Sequence, residues 1–175
     1  MLKSKNIILF LLMLSFLQFY SAFAQSPSIE ALYKKYNERL HDSVKLKIYR
    51  DLSVQYTSVD IPIKINYSRK YKKLAEKLNK PKNVIDADID IGMAYVLTDV
   101  KDSAVFYFTK AIESAKNIDE YGLAGRAALN LGYVYERVSA FNFAVEKYNE
   151  ALLFFKKVDY SRGLGQTYTN IGSIY

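Results

Sequence analysis

The chain repeats a short motif at a fixed interval. Each copy has an aliphatic residue, a glycine, two variable residues and a tyrosine. The three copies, spaced by 40, are Ile91-Gly92-x-x-Tyr95, Leu131-Gly132-x-x-Tyr135 and Ile171-Gly172-x-x-Tyr175. With only 7 glycines in 175 residues, this spacing indicates a repeat rather than coincidence. A fixed period of this size is typical of a solenoid, in which each unit buries its apolar face against a neighbour.

A second pattern recurs in the same register between the glycine motifs. It consists of alanine, an aromatic residue and alanine: Ala104, Phe108 and Ala111 in one interval, and Ala144, Tyr148 and Ala151 in the next. Apolar residues follow helical spacing almost throughout, and no stretch alternates with the period of two that marks a half-buried strand. The sequence therefore predicts an all-α fold.

Turn and capping residues divide the chain into helix pairs. We predict a capping helix over 27–40, within a leading segment 25–42. The predicted pairs are 43–57 with 61–78, 83–97 with 102–116, and 121–138 with 141–157. They give repeat units at 43–82, 83–120 and 121–160, and an incomplete unit at 161–175. Pro81 is expected to break the chain between the first two units.

These motifs resemble the tetratricopeptide repeat, whose first helix, helix A, carries a large residue, glycine and tyrosine, and whose second helix, helix B, carries alanine, an aromatic residue and alanine. The resemblance covers 43–175. It implies a right-handed superhelical solenoid of antiparallel helix pairs, with the glycine and the first alanine at the closest approach of the two helices. The usual unit has about 34 residues, so we place the extra residues here in longer helices.

The first unit departs from this pattern. Its helix A motif, Tyr49-x-x-Leu52-Ser53-x-x-Tyr56, lies one residue out of phase, and Lys64 and Ser68 stand where alanine and an aromatic residue are expected. A different apolar face is available on its helix B, formed by Ile63, Tyr67, Tyr71, Leu74 and Leu78. Terminal repeats are commonly atypical, so this unit is interpreted as an N-terminal cap.

The last motif has no helix B after it. Exposed Ile171 and Tyr175 would each lose roughly 1.5 to 3 kcal/mol of burial free energy. We therefore expect either that the sequence is a fragment of a longer protein or that a partner covers this end.

Residues 1–24 resemble an export signal. Lys3 and Lys5 precede an apolar core over 7–17, and Ala22-Phe23-Ala24 has the small-x-small pattern of a cleavage site. The alternative, an uncleaved membrane anchor, is disfavoured because polar residues interrupt a stretch already short for a bilayer. We predict an exported, periplasmic or secreted protein. Membrane association would need an uncleaved leader or a further segment downstream.

Composition excludes several function classes. The formal charge of +7 falls to +5 without Lys3 and Lys5, and the basic residues are interleaved with acidic ones. Nucleic-acid binding is not expected, because it needs a concentrated basic stripe. The absence of cysteine excludes disulfides, thiol catalysis and a lipoprotein anchor.

Few residues could carry chemistry. The single histidine, His41, is predicted to be an exposed turn residue. The series Asp86-x-Asp88-x-Asp90 resembles the start of a calcium loop but lacks the glycine and glutamate that such a loop requires, so these residues are interpreted as surface carboxylates. Gly163-x-Gly165 lacks the strand before a phosphate loop and is predicted to be an inter-repeat turn. We expect no enzyme activity, no cofactor and no metal.

The tetratricopeptide resemblance implies a concave groove lined by helix A residues. The residues at the corresponding positions include Asp86 and Gln166, and the candidate partner-binding set is Ile89, Met93, Val96, Leu97, Arg126, Leu129, Tyr133, Glu136, Arg137, Thr169 and Ser173. This composition favours an extended segment or a helix with an apolar anchor. The alternative is that Met93, Val96, Leu97 and Tyr133 pack within a tight superhelix.

Three functions fit this sequence. The leading hypothesis is an exported scaffold or adaptor that binds a protein or peptide in the groove. The second is the extracytoplasmic sensor portion of a longer membrane signalling protein, such as a histidine kinase or a transcriptional regulator. The third is a glycan-binding accessory protein, favoured by 16 tyrosines and opposed by the absence of tryptophan.

Overall fold

From the second helix onward, the helices begin at evenly spaced positions in the chain. The computed structural model describes residues 40–175, and the helices are α1 Asp42–Gln55, α2 Ile61–Lys77, α3 Pro81–Leu97, α4 Lys101–Lys116, α5 Tyr121–Arg137, α6 Phe141–Lys157 and α7 Ser161–Ile174. A short 3-10 helix, Tyr56–Ser58, follows α1. No strand occurs in this part of the chain, which confirms the all-α prediction. The predicted signal segment and capping helix lie outside the described residues.

The helices form the predicted antiparallel pairs: α1 with α2, α3 with α4, and α5 with α6, while α7 is the first helix of the next pair. Helices α2 to α6 have 16 or 17 residues each, and only three or four residues separate them. The extra residues of the unit therefore lengthen the helices, as predicted. Pro81 does not lie in a break, because it is the first residue of α3. The backbone N–H at this position has no partner within a helix, so proline costs no hydrogen bond there.

The turns between helices share one backbone device. A single left-handed residue follows each helix from α2 to α6, at positions spaced by 20: Asn79, Asp99, Asp119, Ser139 and Asp159, with φ between 50° and 59°. The next backbone N–H then reaches the carbonyl five residues earlier, as from Lys80 to Ala75 at 2.9 Å. This Schellman-type bond caps the last turn of each helix. None of these residues is glycine, and short polar side chains tolerate this conformation best among the others.

The first turn is built differently. Val59 stands at the same phase of the repeat, but its φ is −116°. A β-branched residue is strongly disfavoured at positive φ. The chain uses the 3-10 helix Tyr56–Ser58 instead, which takes three residues per turn rather than 3.6. The 3-10 turn lies in the same unit as the one-residue offset of the Ser53 motif.

In the α3–α4 and α5–α6 pairs, a helix B ring lies against a helix A glycine. A Cβ atom on Gly92 would lie 2.8 Å from the Phe108 ring, and one on Gly132 would lie 2.5 Å from the Tyr148 ring. Both rings are fully buried, as are the alanines of the helix B motif. The glycine does lie at a close contact between the helices, but the atoms that it meets belong to Phe108 and Tyr148 and not to the first alanines, Ala104 and Ala144.

The prediction for Gly163-x-Gly165 is wrong. Both glycines lie inside α7, and Gly163 is buried. A Cβ atom on Gly163 would lie 2.6 Å from Tyr160 and 2.8 Å from Phe155. Glycine at this position lets the start of α7 approach α6, and no turn is needed to explain it.

The interpretation of α2 needs correction. Its predicted apolar face is buried at Tyr67 and Tyr71, but Lys64 and Ser68 are buried as well, so helix B keeps the phase of the repeat even in the first unit. Only 3% of Lys64 is exposed, and its ammonium donates to Ser53 O (3.3 Å) and Thr57 Oγ1 (3.0 Å). Burial lowers the pKa of Lys64, and the nearby Asp90 carboxylate opposes that shift.

The outer face of α7 is open. Gly172 occupies the same repeat position as Gly92 and Gly132, but a Cβ atom placed on it would meet no neighbouring helix within 4 Å. Tyr175 is 92% exposed. Ile171, which was expected to be exposed, is half-buried against the main core cluster. The open part of the motif is therefore the glycine and the tyrosine.

We predict that Gly132→Ala lowers the free energy of unfolding by about 1–3 kcal/mol, because the new methyl group meets a fully buried ring. The matched control is Gly172→Ala at the same repeat position. Its free energy of unfolding should not fall and should rise by up to about 1 kcal/mol, because alanine has the higher helix propensity and the surroundings of Gly172 are open. Urea denaturation followed by circular dichroism measures both. Equal effects of the two substitutions would contradict the proposed role of the ring contact.

Candidate functional site

Three aspartates of α3 are partly or fully removed from solvent. The prediction that they are surface carboxylates is wrong: Asp86 and Asp88 are buried and Asp90 is half-buried. A buried carboxylate is tolerated when it is paired and hydrogen-bonded. Each of the three has such contacts, and together they determine the chemistry of this part of the molecule.

Asp86 joins α3 to two other A helices. Its Oδ2 accepts a hydrogen bond from Arg50 Nε of α1 at 2.9 Å, and its Oδ1 accepts one from Arg126 Nη1 of α5 at 2.8 Å. The carboxylate raises the pKa of Arg50 above its usual range, against the desolvation cost of burial. One buried negative charge therefore holds two guanidinium groups beside each other.

A pocket of about 330 Å³ surrounds this carboxylate. It is lined by Arg50, Tyr71, Lys82, Asn83, Asp86, Glu120, Leu123 and Arg126. Lys82 forms an ion pair with Glu120 across the pocket. The lining thus carries three basic and two acidic side chains, which gives it one excess positive charge.

The Tyr71 hydroxyl stays protonated at the floor of this pocket. It accepts a hydrogen bond from Asn83 Nδ2 at 2.9 Å and donates to Asp86 Oδ2 at 3.4 Å. Burial raises the pKa of Tyr71 to about 12. The hydroxyl is therefore a fixed neutral donor that keeps Asp86 oriented.

Asp90 lies one turn further along α3. It accepts a hydrogen bond from Ser53 Oγ at 3.4 Å. Burial raises the pKa of Asp90, and the Asp86 charge adds to that effect, while Lys64, Arg126 and Arg50 oppose it. The charges of α1, α2, α3 and α5 thus act on one another in this region.

Asp88 points to the opposite side of α3, toward the B helices. Its Oδ1 lies 2.6 Å from Lys72 Nζ of α2, and its Oδ2 lies 3.6 Å from Lys110 Nζ of α4. Burial lowers the pKa of Lys72, but the hydrogen bond to Asp88, the Asp88 charge and smaller contributions from Lys110 and Glu76 together outweigh this effect, and the net shift is upward. Through Asp86 and Asp88, α3 is tied electrostatically to four neighbouring helices.

We call the exposed sides of α1, α3, α5 and α7 the helix A surface. Three residues predicted to line it, Ile89, Val96 and Leu129, are buried in the main core cluster instead. They are unavailable to a partner because they pack against neighbouring helices. For Val96, the alternative of packing within the solenoid is the correct one.

The other apolar candidates remain accessible. Leu97 is 47% exposed at the end of α3, and Tyr133 is 40% exposed on α5. Met93 lies half-buried one turn before Leu97. The structure therefore leaves an apolar patch on two successive A helices.

Polar candidates form contacts between successive A helices. Arg137 donates to Val96 O at 3.1 Å and to Asp99 Oδ1 at 3.3 Å. Glu136 accepts from the Tyr148 hydroxyl and, at 3.4 Å, from Ser173 Oγ of α7. Thr169 donates to Gly165 O of its own helix at 3.0 Å. Of the polar residues at the implied groove positions, Asp86 and Arg126 line the charged pocket.

Sequence reasoning missed Arg50, Tyr71, Lys82, Asn83, Glu120 and Leu123 in this pocket. A signal for Arg50 was present. Once the one-residue offset of the Ser53 motif is applied, Arg50 takes the helix A position that Ile89 has in the next unit. The remaining pocket residues come from helix starts and from α2, which the groove positions implied by the resemblance do not include.

His41 has a structural role. It is the N-cap residue of α1, where its Nδ1 accepts from Ser43 N at 3.3 Å, and it is exposed, as predicted. Across residues 40–175 there is no group of three or more histidine, cysteine, aspartate or glutamate side chains placed to hold a metal ion. In the same region every helix is too short or too polar to span a bilayer.

Comparison with solved structures shows a tetratricopeptide-repeat-like helical repeat fold. The aspartyl phosphate phosphatase F of Bacillus subtilis superposes with a TM-score of 0.78 at 17% identity over 83% of this chain. The apo form of RapI gives 0.73 at 16% over 91%. A signal transduction ATPase with numerous domains and a tetratricopeptide repeat sensor, from Pyrococcus horikoshii, gives 0.66 at 18% over 90%.

The chain spans 39%, 60% and 25% of the lengths of these three proteins, respectively. No protein-family model and no curated protein sequence matches it. At these identities the comparisons establish the fold.

We predict that Asp88→Asn lowers the free energy of unfolding by about 2 kcal/mol, because it leaves the Lys72 ammonium without its buried counter-charge. The matched control is Asp99→Asn, whose exposed carboxylate pairs with Arg137. An exposed pair contributes about 0–1 kcal/mol. Urea titrations at low salt measure both, and similar losses for the two variants would refute the proposed tie between α3 and the B helices.

Proposed function

We propose that the chain is an exported interaction scaffold that binds a peptide segment or a helix of a partner protein on its helix A surface. The observation that carries the proposal is that Leu97 and Tyr133 are accessible on successive A helices, with half-buried Met93 one turn before Leu97. An aromatic anchor next to an aliphatic one, bordered by polar groups, is a common arrangement at protein-binding sites.

The surroundings of the patch support this proposal. Arg137, beside Leu97 and Tyr133, is already held by Val96 O and Asp99, and Glu136 is held by Tyr148. Side chains that are fixed before binding lose less conformational entropy when a partner arrives. A segment with one apolar side chain would bury the patch without having to reorganise its rim.

Export is part of the proposal and is supported by the leader pattern in the sequence. The cluster of Lys3 and Lys5, the apolar core and Ala22-Phe23-Ala24 are typical of a cleaved signal. Mass spectrometry of the protein recovered from the cell envelope or the medium tests this. A mature N-terminus at Gln25 is expected, and an intact Met1 terminus in a soluble fraction would reject it.

A second candidate is the extracytoplasmic sensor portion of a longer signalling protein. It is favoured by the Pyrococcus horikoshii protein, in which a tetratricopeptide repeat sensor belongs to a larger signal transduction ATPase. The coding sequence beyond Tyr175 decides between the candidates. A stop codon there would reject the sensor and leave the scaffold. In both cases we expect binding without a catalytic step.

We predict that Met93→Ala combined with Tyr133→Ala weakens binding of a peptide ligand by at least about tenfold, since central anchors cost more than about 1 kcal/mol each when truncated. Ligands would be selected from a display library of random twelve-residue peptides, and affinity measured by fluorescence anisotropy.

The matched control for this variant is Phe106→Ala with Leu153→Ala. These residues are also apolar and exposed, but they lie on the B helices α4 and α6. The control should bind as the unaltered chain does. If both double variants bind with unchanged affinity and both remain folded, the helix A surface is not the binding site.

A further inference from the structure

The two arginines of the charged pocket keep most of their donors unused. Arg50 Nε and Arg126 Nη1 each donate one hydrogen bond to Asp86. A guanidinium has five N–H groups. The others have no hydrogen-bond partner among residues 40–175, and the two side chains are 53% and 40% exposed. The pocket therefore presents two oriented guanidinium groups to the solvent.

The pocket favours a singly charged, planar anion. Its lining has one excess positive charge, from Arg50, Lys82 and Arg126 against Asp86 and Glu120. A carboxylate would neutralise that charge, and its two oxygens match the fork of a guanidinium. A phosphate dianion would bring a second negative charge against Asp86 and Glu120. The lining thus selects a carboxylate.

The pocket and the apolar patch lie on the same helices at a defined separation. Asp86 and Met93 are seven residues apart on α3, and Arg126 and Tyr133 are seven apart on α5. With a rise of about 1.5 Å per residue, this places the two sites about 10 Å apart. An extended peptide covers that distance in about three residues.

We propose that this pocket binds the side-chain carboxylate of an aspartate or glutamate in a partner peptide, three residues from the apolar side chain that occupies the Met93 and Tyr133 patch. The inference rests on the proposed function, because it names the chemistry of the partner. A side chain suits the pocket because the partner's backbone then continues along the helix A surface in both directions.

The probe is the peptide acetyl-Glu-Ser-Ser-Leu-Ser-Ser-Glu-amide, which has the acidic residue three positions from leucine in either chain direction. A second peptide has glutamine in place of both glutamates, and a third has those glutamines and a free C-terminal carboxylate. Each is titrated into the full 175-residue chain. Proton–nitrogen NMR follows the Nε–H signals of Arg50 and Arg126, and a methyl spectrum follows Met93.

The glutamate peptide should bind at least about fivefold more tightly than the glutamine peptide, as one charge-assisted contact at a partly exposed site provides. Its addition should shift the signals of both arginines and of Met93. Arg126→Gln should remove the higher affinity for the glutamate peptide. Asp86 keeps its contact with Arg50 in this variant, so the fold should be preserved, and a thermal melt checks this. The matched control Arg162→Gln, at an exposed arginine of α7, should preserve that advantage.

Several results would overturn the inference. Equal affinities of the glutamate and glutamine peptides, with Met93 shifting, would remove the carboxylate assignment and leave the apolar patch as the binding site. Stronger binding of the free-terminus peptide would assign the pocket to a chain terminus, and equally strong shifts by inorganic phosphate would make it a general anion site. Arginine shifts without any Met93 shift would support the pocket and reject the patch.

Discussion

The contact of an aromatic ring with a glycine sets the distance between the two helices in the α3–α4 and α5–α6 pairs. Phe108 covers Gly92, and Tyr148 covers Gly132, with no room for a Cβ atom. Because the ring occupies the place of a side chain on the opposite helix, the two backbones approach closely enough for the alanines of helix B to be fully buried. The stacking of further helices depends on that separation.

Sequence periodicity predicted the helices well because each of them alternates buried and exposed sides with the same phase as its counterpart in the next unit. It failed on α3, where Asp86 and Asp88 are buried together with nearly all residues between Ile85 and Gly92. Over 85–92 the helix is buried on nearly all sides, so the residue pattern of this stretch does not mark a solvent-facing side. Its carboxylates are tolerated because Arg50 and Arg126, distant in sequence, supply the counter-charges.

Sequence reasoning was limited in the same way for the proposed binding surface. The helix A positions implied by the resemblance identified Leu97, Tyr133 and Arg126 as accessible. They did not show which other candidates, such as Ile89, are buried in the core. Local spacing cannot decide that, because it depends on where the next pair is placed. In the proposed mode of binding, stability and recognition would use the same atoms: the carboxylate that fixes α3 against α1 and α5 also aligns the guanidinium groups of the pocket before any ligand is present.

The evenly spaced left-handed residues restrict how such a chain can change in length. A connection of three residues, one of them already at positive φ, has little conformational freedom left to absorb a change in length. One residue inserted within a helix would turn the part of that helix beyond it by about 100° and carry its buried side chains toward solvent. The first connection shows the only local remedy in the described chain, a 3-10 turn in place of the usual cap. During evolution the array is therefore expected to lengthen or shorten by whole 40-residue helix pairs, because a pair supplies both the glycine and the ring that covers it.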